Sequence, residues 1–146
     1  MKVICDKVVA HGHGMITAKH RNTMEITKDN YVTERGTCII ACSADKALRD
    51  LREDLKQLIK NDNTIVVVKI RCVDKFEIVL CRGSSRLTLS SDRKIVIRKS
   101  KYVDDATLCI ESNKGAADLD RGLISRLCMC DVVEIQICAI ELEDPT

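Results

Sequence analysis

Three histidines and a glutamate near the start of the chain are the residues whose types and spacing could do chemistry. His11, His13 and His20 share one segment, and Glu25 follows closely. A His-x-His pair on a strand projects both rings to one face, and a third histidine with a carboxylate could complete a zinc or iron site. Glycines on both sides of His13 indicate a turn instead. We therefore expect no metal, and we keep open structural histidines or a polar site of His13, His20 and Glu25.

Basic residues near two predicted helix starts could bind an anion. Lys46 and Lys114 precede apolar residues at helical spacing, which places them in the first turn, where the partial positive charge of the helix disfavours a cation. Free N–H groups beside a lysine suit phosphate or carboxylate. Ion pairs with Asp50 and Asp118 are the alternative. The predicted anion-binding residues are Lys28, Lys46, Arg98, Lys99 and Lys114.

The nine cysteines follow no spacing typical of a metal or redox centre. The pairs Cys38/Cys42 and Cys128/Cys130 match neither a zinc ribbon nor an iron–sulfur site, and most cysteines lie inside apolar runs. With no leader resembling a signal peptide, they are predicted to be reduced and buried in a cytoplasmic protein. Nucleophile-elbow, phosphate-loop and dinucleotide motifs are absent from the sequence, and no cofactor is expected.

The chain resembles itself at a distance of about 70 residues. Residues 11–32 align without gaps on residues 82–103, and after a short deletion the helix residues and the last strand align as well. The matched pairs include Gly12/Gly83, Thr17/Thr88, Ile26/Ile97, Lys28/Lys99, Tyr31/Tyr102, Lys46/Lys114, Asp50/Asp118 and Leu55/Leu123. The pattern predicts one domain over residues 1–146, made of two repeats at about 3–70 and 74–140 and related by a pseudo-two-fold axis.

Each repeat shows three strand patterns, a helix and a final strand. Apolar residues at helical spacing predict helices from Asp45 to Lys60 and from about Asn113 to Leu127. The sequence therefore predicts a mostly β, α+β protein, folded as a closed or nearly closed barrel with one covering helix per repeat. An open α+β sandwich is the alternative. The polar tail at 141–146 is expected to fray.

Composition bounds the class of protein. With 45% hydrophobic residues, 146 residues suit one ordinary core, but only Phe76, Tyr31 and Tyr102 are aromatic, so the core must be aliphatic. No apolar run approaches the roughly 18 residues that span a bilayer, and no membrane partner is expected. The formal charge of +2 conceals a basic segment at 82–101 and an acidic one at 102–146. This segregation is typical of an anion-binding face or of protected strand edges.

Two blocks of residues are similar to a known family. They comprise Gly12-His13, His20, Thr23-Met24-Glu25-Ile26-Thr27, Gly36-Thr37-Cys38-Ile39-Ile40, Ala44-Asp45-Lys46-Ala47, Arg82-Gly83-Ser84, Leu87-Thr88-Leu89-Ser90 and Ile97-Arg98-Lys99-Ser100. Together they resemble the archaeal domain-of-unknown-function family 371 over nearly the whole chain. The resemblance implies an archaeal, cytoplasmic origin and brings no activity with it.

The sequence thus favours a small cytoplasmic protein that binds an anionic ligand or RNA. One alternative is an enzyme that uses His13, His20 and Glu25, with or without a metal. A second alternative is a structural adaptor in a larger assembly, which should expose an apolar patch. Near absence of aromatic residues argues against stacking on single-stranded bases.

Overall fold

A computed structural model describes residues 1–129 and 131–142, so Cys130 and the end of the predicted frayed tail lie outside the described residues. The elements follow one another in chain order. They are β1 (Lys2–His11), β2 (Thr23–Thr27), β3 (Ile39–Ala41), α1 (Glu53–Ile59), β4 (Thr64–Cys72), β5 (Lys75–Arg82), β6 (Lys94–Arg98), β7 (Thr107–Cys109), α2 (Arg121–Cys128) and β8 (Val132–Glu141). Short 3-10 turns at Leu48–Asp50 and Ala116–Asp118 precede the two helices.

The strands form two four-stranded sheets. Sheet A has the order β1-β8-β4-β5 and is antiparallel throughout. Sheet B has the order β3-β2-β6-β7, in which the central β2 and β6 are antiparallel and each outer strand is parallel to its neighbour. The architecture is therefore mostly β with two helices, as the composition and patterning predicted.

The predicted closed barrel is wrong, and the open sandwich fits the structure. Among the described residues, the backbone pairing between the edges of the two sheets consists of isolated bridges, His11 with Cys42 and Arg82 with Ile110. The physical reason is that β3 and β7 are three residues long and cannot continue a ladder along the much longer edge strands. Loop residues protect those edges instead. They form hydrogen bonds with the backbone groups that a closed barrel would have paired with another strand.

The same kind of loop contact protects both edges of sheet A. The Val9 N–H donates to Asp45 Oδ1 at 2.9 Å, and the Asp45 N–H donates back to the Val9 carbonyl at 2.9 Å. On the opposite edge the Leu80 N–H donates to Asn113 Oδ1 at 3.0 Å, and the Asn113 N–H returns to the Leu80 carbonyl at 2.9 Å. Short polar side chains in extended loops are well suited to such backbone pairing.

The core lies between the two sheets and is aliphatic. Period-2 alternation buries one face of β4 and one face of β8, and Met24, Ile26, Ile95 and Ile97 close the core from sheet B. Both tyrosines and Phe76 are more than half exposed, so no aromatic ring fills the interior. Among the described residues no helix is long and apolar enough to cross a membrane.

Both helices are shorter than the apolar spacing predicted. Leu51 and Arg52 are extended between the 3-10 turn and α1, and Leu119 and Asp120 are extended before α2. The Asp50 carboxylate accepts the Ala47 N–H at 2.9 Å, and the Asp118 carboxylate accepts the Gly115 N–H at 2.8 Å, which closes each 3-10 turn by a local hydrogen bond. Leu48, Leu51 and Leu55 are nevertheless buried in the core, although no continuous helix joins them.

Two disulfides within residues 1–129 and 131–142 correct the prediction that the cysteines are all reduced. Cys5 bonds Cys138 across β1 and β8, and Cys81 bonds Cys109 between the two sheets. Apolar surroundings predicted burial correctly for Cys42, Cys72, Cys81 and Cys109. Burial does not decide the redox state, because pairing depends on which Cα atoms meet in the fold.

Candidate functional site

The histidines organise the loop between β1 and β2. His13 Nδ1 accepts the Met15 N–H at 3.0 Å. His20 Nδ1 accepts the Asn22 and Thr23 N–H groups at 3.2 and 3.1 Å and lies 3.0 Å from Thr23 Oγ1. Because Nδ1 accepts in both rings, each neutral imidazole carries its proton on Nε2. Over residues 1–129 and 131–142, no three His, Cys, Asp or Glu side chains are grouped so that they could hold a metal.

Glu25 is the buried acid of sheet B. It lies opposite Val96 in the central ladder, is 9% exposed, and its nearest cation is Lys94, with Nζ 3.8 Å from Oε1. Burial raises its pKa above the ordinary value, although the charges of Lys94 and Arg98 oppose the rise.

Cys38 lies close enough to Glu25 to be affected by its charge. Burial raises the pKa of the Cys38 thiol, and the neighbouring Glu25 carboxylate raises it further. A thiol with a raised pKa stays protonated at neutral pH and is a poor nucleophile. Chemistry at this place would therefore depend on Glu25 and not on Cys38.

Lys46 and Lys114 do not lie in the first turn of a helix, which corrects the sequence prediction. Both precede the 3-10 turns and reach back to an edge strand of sheet A. Lys46 Nζ lies 2.8 Å from Asp6 Oδ1, and Lys114 Nζ lies 3.0 Å from Glu77 Oε1. Each lysine neutralises a carboxylate that is mostly buried, so local charge balance explains a position that helix electrostatics could not.

Asp6 depends on that neutralisation. Burial alone would raise the pKa of Asp6, but hydrogen bonds from Lys46 and from the Arg52 and Lys7 N–H groups outweigh burial and hold the pKa below its ordinary value. The ionised carboxylate is therefore a structural part of the edge of sheet A.

The other three predicted anion ligands are paired as well. Lys28 Nζ lies 2.6 Å from Asp50 Oδ2, and Lys99 Nζ lies 2.6 Å from Asp118 Oδ2. These aspartates were expected to pair with Lys46 and Lys114 and instead bind the two lysines of the β2 and β6 ends.

Arg98 makes the most contacts of the predicted cations. Its guanidinium lies 3.0 Å from Asp104, donates to Thr107 Oγ1 at 2.9 Å, and covers the ring of Tyr102. All five predicted cations therefore have a carboxylate partner of their own. The structure does not bring them together as one cationic surface by direct contact.

A different set of cations lies on the face of sheet A that is turned away from the core, which we call the outer face of sheet A. Lys7 on β1, Gln136 on β8 and Lys69 on β4 form one cross-strand row, and Arg71 and Glu134 lie in the next row. Together these five residues line a shallow cavity of about 150 Å³, which we call the cationic pocket.

The cations of the pocket are weakly partnered. Lys7 Nζ is 3.9 Å from Glu134 Oε1, and Lys69 Nζ lies 4.9 Å from the centre of the Phe76 ring. In the part of the chain that the structure describes, no carboxylate lies within ion-pair distance of Arg71. This arrangement has hydrogen-bond donors and positive charge to spare for an anion.

The amino-acid sequence contains one signal for this pocket. Lys69 and Arg71 interrupt the apolar run from Thr64 to Cys72 two residues apart. Spacing of two on a strand places both side chains on the same face, opposite the buried Val68, Ile70 and Cys72. The convergence with Lys7 and Gln136 required the strand register, which the sequence does not contain.

Comparison with known proteins identifies relatives but no activity. A model of the family described as "Domain of unknown function (DUF371)" matches residues 8–140. An uncharacterised protein of Methanocaldococcus jannaschii is 37% identical over 120 residues, which cover 82% of this chain and 88% of the relative. The matched region contains almost all of both sheets.

Proposed function

The chain belongs to the DUF371 family, and membership brings no activity with it. We propose that the protein binds an anionic ligand at the cationic pocket of sheet A. The observation that carries the proposal is the convergence of Lys7, Lys69 and Arg71 on one cavity, in whose lining Glu134 is the acidic residue. Arginine and lysine donate charge-assisted hydrogen bonds to carboxylate and phosphate, and Gln136 adds a neutral donor.

The size of the pocket supports a single anionic group as the bound part. A cavity of about 150 Å³ is smaller than the roughly 300–1,000 Å³ of sites that enclose a whole small molecule. The group would sit over Lys69 and Gln136, with the rest of the ligand outside the pocket on the sheet surface. This location replaces the five cations predicted from sequence, whose charges are already balanced by their own carboxylates.

RNA is the less favoured form of the anion. A polynucleotide presents a charge at every nucleotide, so its binding sites extend as grooves or stripes of cations. The pocket offers three cations within two cross-strand rows, and apolar side chains surround them. A ligand with one or two acidic groups matches this pattern better than RNA does.

Inorganic phosphate and a charge-matched pair of variants test the proposal. Phosphate should shift the backbone NMR resonances around Lys69 and Gln136 in the wild type, and the Lys69→Gln/Arg71→Gln variant should bind it about ten-fold more weakly or worse, since each lost charged hydrogen bond is worth roughly 1.5–3 kcal/mol. Lys19→Gln/Arg21→Gln removes the same charge from an exposed loop and should bind as the wild type does.

Two results would contradict the proposal. Equal weakening in both double variants would mean that phosphate responds to net charge alone. Resonance shifts elsewhere in the wild type, with none on β1, β4 and β8, would place the anion outside the pocket.

We also propose that the chain is an internal duplication and that the pocket lies on its pseudo-two-fold axis. Support comes from contacts that recur about 70 residues apart: Lys46–Asp6 with Lys114–Glu77, and Lys28–Asp50 with Lys99–Asp118. Residues with positive φ recur too, at Ala18 and Leu89 and at Ser43 and Glu111. A crystal structure in which residues 3–70 fail to superpose on 74–140 would disprove the duplication.

Glu25 supports a second candidate function, acid–base chemistry on a small polar substrate. A carboxyl group that is largely buried and has a raised pKa is typical of a general acid or base. The Glu25 carboxyl should titrate above the ordinary glutamate value in a carbon-13 NMR experiment. Compounds from a thermal-shift screen should stabilise the wild type and not Glu25→Gln, whereas titration at the ordinary value would exclude this role.

A further inference from the structure

The outer face of sheet A exposes large apolar side chains around the cationic pocket. Phe76, Ile78 and Leu80 project from β5, and Val3 and Val132 project from β1 and β8, each with 43–54% of its surface exposed. Two of these residues share cross-strand rows with the pocket: Ile78 lies beside Lys69, and Phe76 beside Arg71. Soluble proteins rarely leave so many large apolar side chains together on one surface unless something binds there.

We propose that this face docks a protein partner whose contacting segment carries a carboxylate between apolar side chains. The inference rests on the proposed function, because the partner's carboxylate would occupy the cationic pocket. It also explains why the anion site is shallow and open: a broad sheet with a small cationic centre matches the apolar and charged pattern of a protein interface better than an enclosing ligand cavity.

Charge decides against a second copy of this chain as the occupant. Two outer faces packed against each other about the centre of sheet A would bring Lys7, Lys69 and Arg71 of both copies together with only Glu134 to balance each set. Like charges that meet at an interface cost several kcal/mol, so the occupant must supply negative charge where this face is positive.

The apolar surround favours a protein segment over an acidic polymer. Phosphate and sugar groups of a polynucleotide would gain nothing from the exposed side chains at Ile78, Leu80 and Val132. A segment in which leucine or isoleucine flanks glutamate or aspartate would cover those side chains and place its acid over Lys69. Burial of apolar area would then supply affinity, and the ion pairs would fix the position of the segment.

Three synthetic peptides of equal length test this docking surface on the whole protein. The first has glutamates flanked by leucines, the second has glutamine in place of glutamate, and the third has serine in place of leucine. The first should shift amide resonances of Lys69, Ile78 and Leu80 and bind at least ten-fold more tightly than the other two, because each of the others lacks one half of the pattern.

Substitutions in the protein test the same docking surface from the other side of the interface. Ile78→Thr/Leu80→Thr keeps strand-compatible side chains but removes exposed apolar surface, and it should weaken the first peptide about ten-fold. Met129→Gln, at a methionine that is 66% exposed after α2, is the control and should leave binding unchanged. Inorganic phosphate should bind the Ile78→Thr/Leu80→Thr variant as well as the wild type.

The outcomes separate the two proposals. Phosphate binding with equal affinity for the first and third peptides would refute the docking surface and leave the anion site intact. If phosphate does not bind, and the first and second peptides bind with equal affinity, both the anion site and the docking surface are refuted. Tighter binding of a single-stranded RNA oligonucleotide at the same residues, no peptide binding, or a concentration-dependent homodimer that Ile78→Thr/Leu80→Thr disrupts, would each overturn the proposed partner.

Discussion

Lys69 and Gln136 lie directly opposite each other in the central ladder of sheet A. Lys69 lies on β4, the last strand of the first half of the chain, and Gln136 lies on β8, the last strand of the second half. Across sheet A, in the order β1-β8-β4-β5, the strands come alternately from the first and the second half. Glu25 and Val96 hold the same relationship in sheet B. Both pairs carry different side chains, so the polar chemistry at the centre of each sheet arises where the two halves differ.

Replacing Lys46 with glutamine should destabilise the protein. A lysine at a helix start, where the sequence predicted Lys46, would instead be replaced by glutamine with no loss of stability or with a gain. The loss removes the cation from Asp6, whose side chain is 9% exposed, and should cost about 1–2 kcal/mol in urea denaturation. Lys19→Gln, in an exposed loop, should cost nothing measurable. A Lys46→Gln protein as stable as the wild type would show that the pair contributes nothing.

The pH dependence of the same variant checks the cause. Asp6 has a lowered pKa in the folded protein, so its contribution is present above the ordinary aspartate value and is lost as the pH falls through the folded value. The difference in unfolding free energy between wild type and Lys46→Gln should therefore shrink below about pH 4. A constant difference down to acidic pH would mean that the lysine acts through packing and not through charge.

The sequence was sufficient for the kinds of element and insufficient for their lengths and contacts. Spacing of Leu48, Leu51, Leu55 and Leu58 correctly predicted which side chains are buried. It did not show the extended residues before α1, because a leucine can face the core from either conformation. The sequence predicted Lys46 at a helix start, whereas its partner Asp6 is forty residues away and only the fold brings the two side chains together.

Close backbone contacts explain why glycine occupies both matched positions, Gly12 and Gly83. A Cβ atom at Gly12 would overlap the Leu127 carbonyl at the end of α2, and one at Gly83 would overlap the Ile59 carbonyl at the end of α1. Each glycine loop therefore packs on the helix of the other half of the chain. Repetition of glycine could be recognised from sequence, but the crossed contact could not.

Gly12→Ala and Gly83→Ala should each destabilise the protein because backbone must move to admit the methyl group. Overpacking of this kind typically costs about 1–3 kcal/mol, and the cost should appear as a lower denaturation midpoint with an unchanged slope. Gly14→Ala is the matched control: its Cβ would lie 3.9 Å from the Cys128 carbonyl oxygen, an ordinary contact. Equal stability of all three variants would contradict the close packing.

Glu25→Gln should stabilise the fold at neutral pH, since burial makes the Glu25 carboxylate costly to ionise despite the charges of Lys94 and Arg98. The raised pKa means that the folded protein binds the proton more tightly than the unfolded chain. The contribution of Glu25 to stability should therefore be greatest below the ordinary glutamate value of about 4.3 and be lost as the pH rises through the raised value.

That pH trend is tested by chemical denaturation between acidic and neutral pH. The stabilising effect of Glu25→Gln should be small in acid and grow towards neutrality. Glu34→Gln, at an exposed residue, is the control and should show no such trend. A Glu25→Gln variant that is less stable at neutral pH would mean that the carboxylate makes a favourable interaction.

The disulfide between Cys81 and Cys109 should stabilise the sandwich by limiting the unfolded chain. The bond joins β5 to β7 and closes a segment with a sequence separation of 28 residues, for which loop entropy predicts roughly 3–4 kcal/mol, reduced by any strain. Cys81→Ala/Cys109→Ala should therefore unfold at lower urea concentration than the wild type without reductant. With reductant the difference should shrink to the small cost of the two truncated side chains. Mass spectrometry of the denatured, unreduced wild type should find Cys5, Cys81, Cys109 and Cys138 protected from alkylation, while Cys38, Cys72 and Cys128 react. Alkylation of Cys81 and Cys109 under those conditions would show that the bond between β5 and β7 does not form.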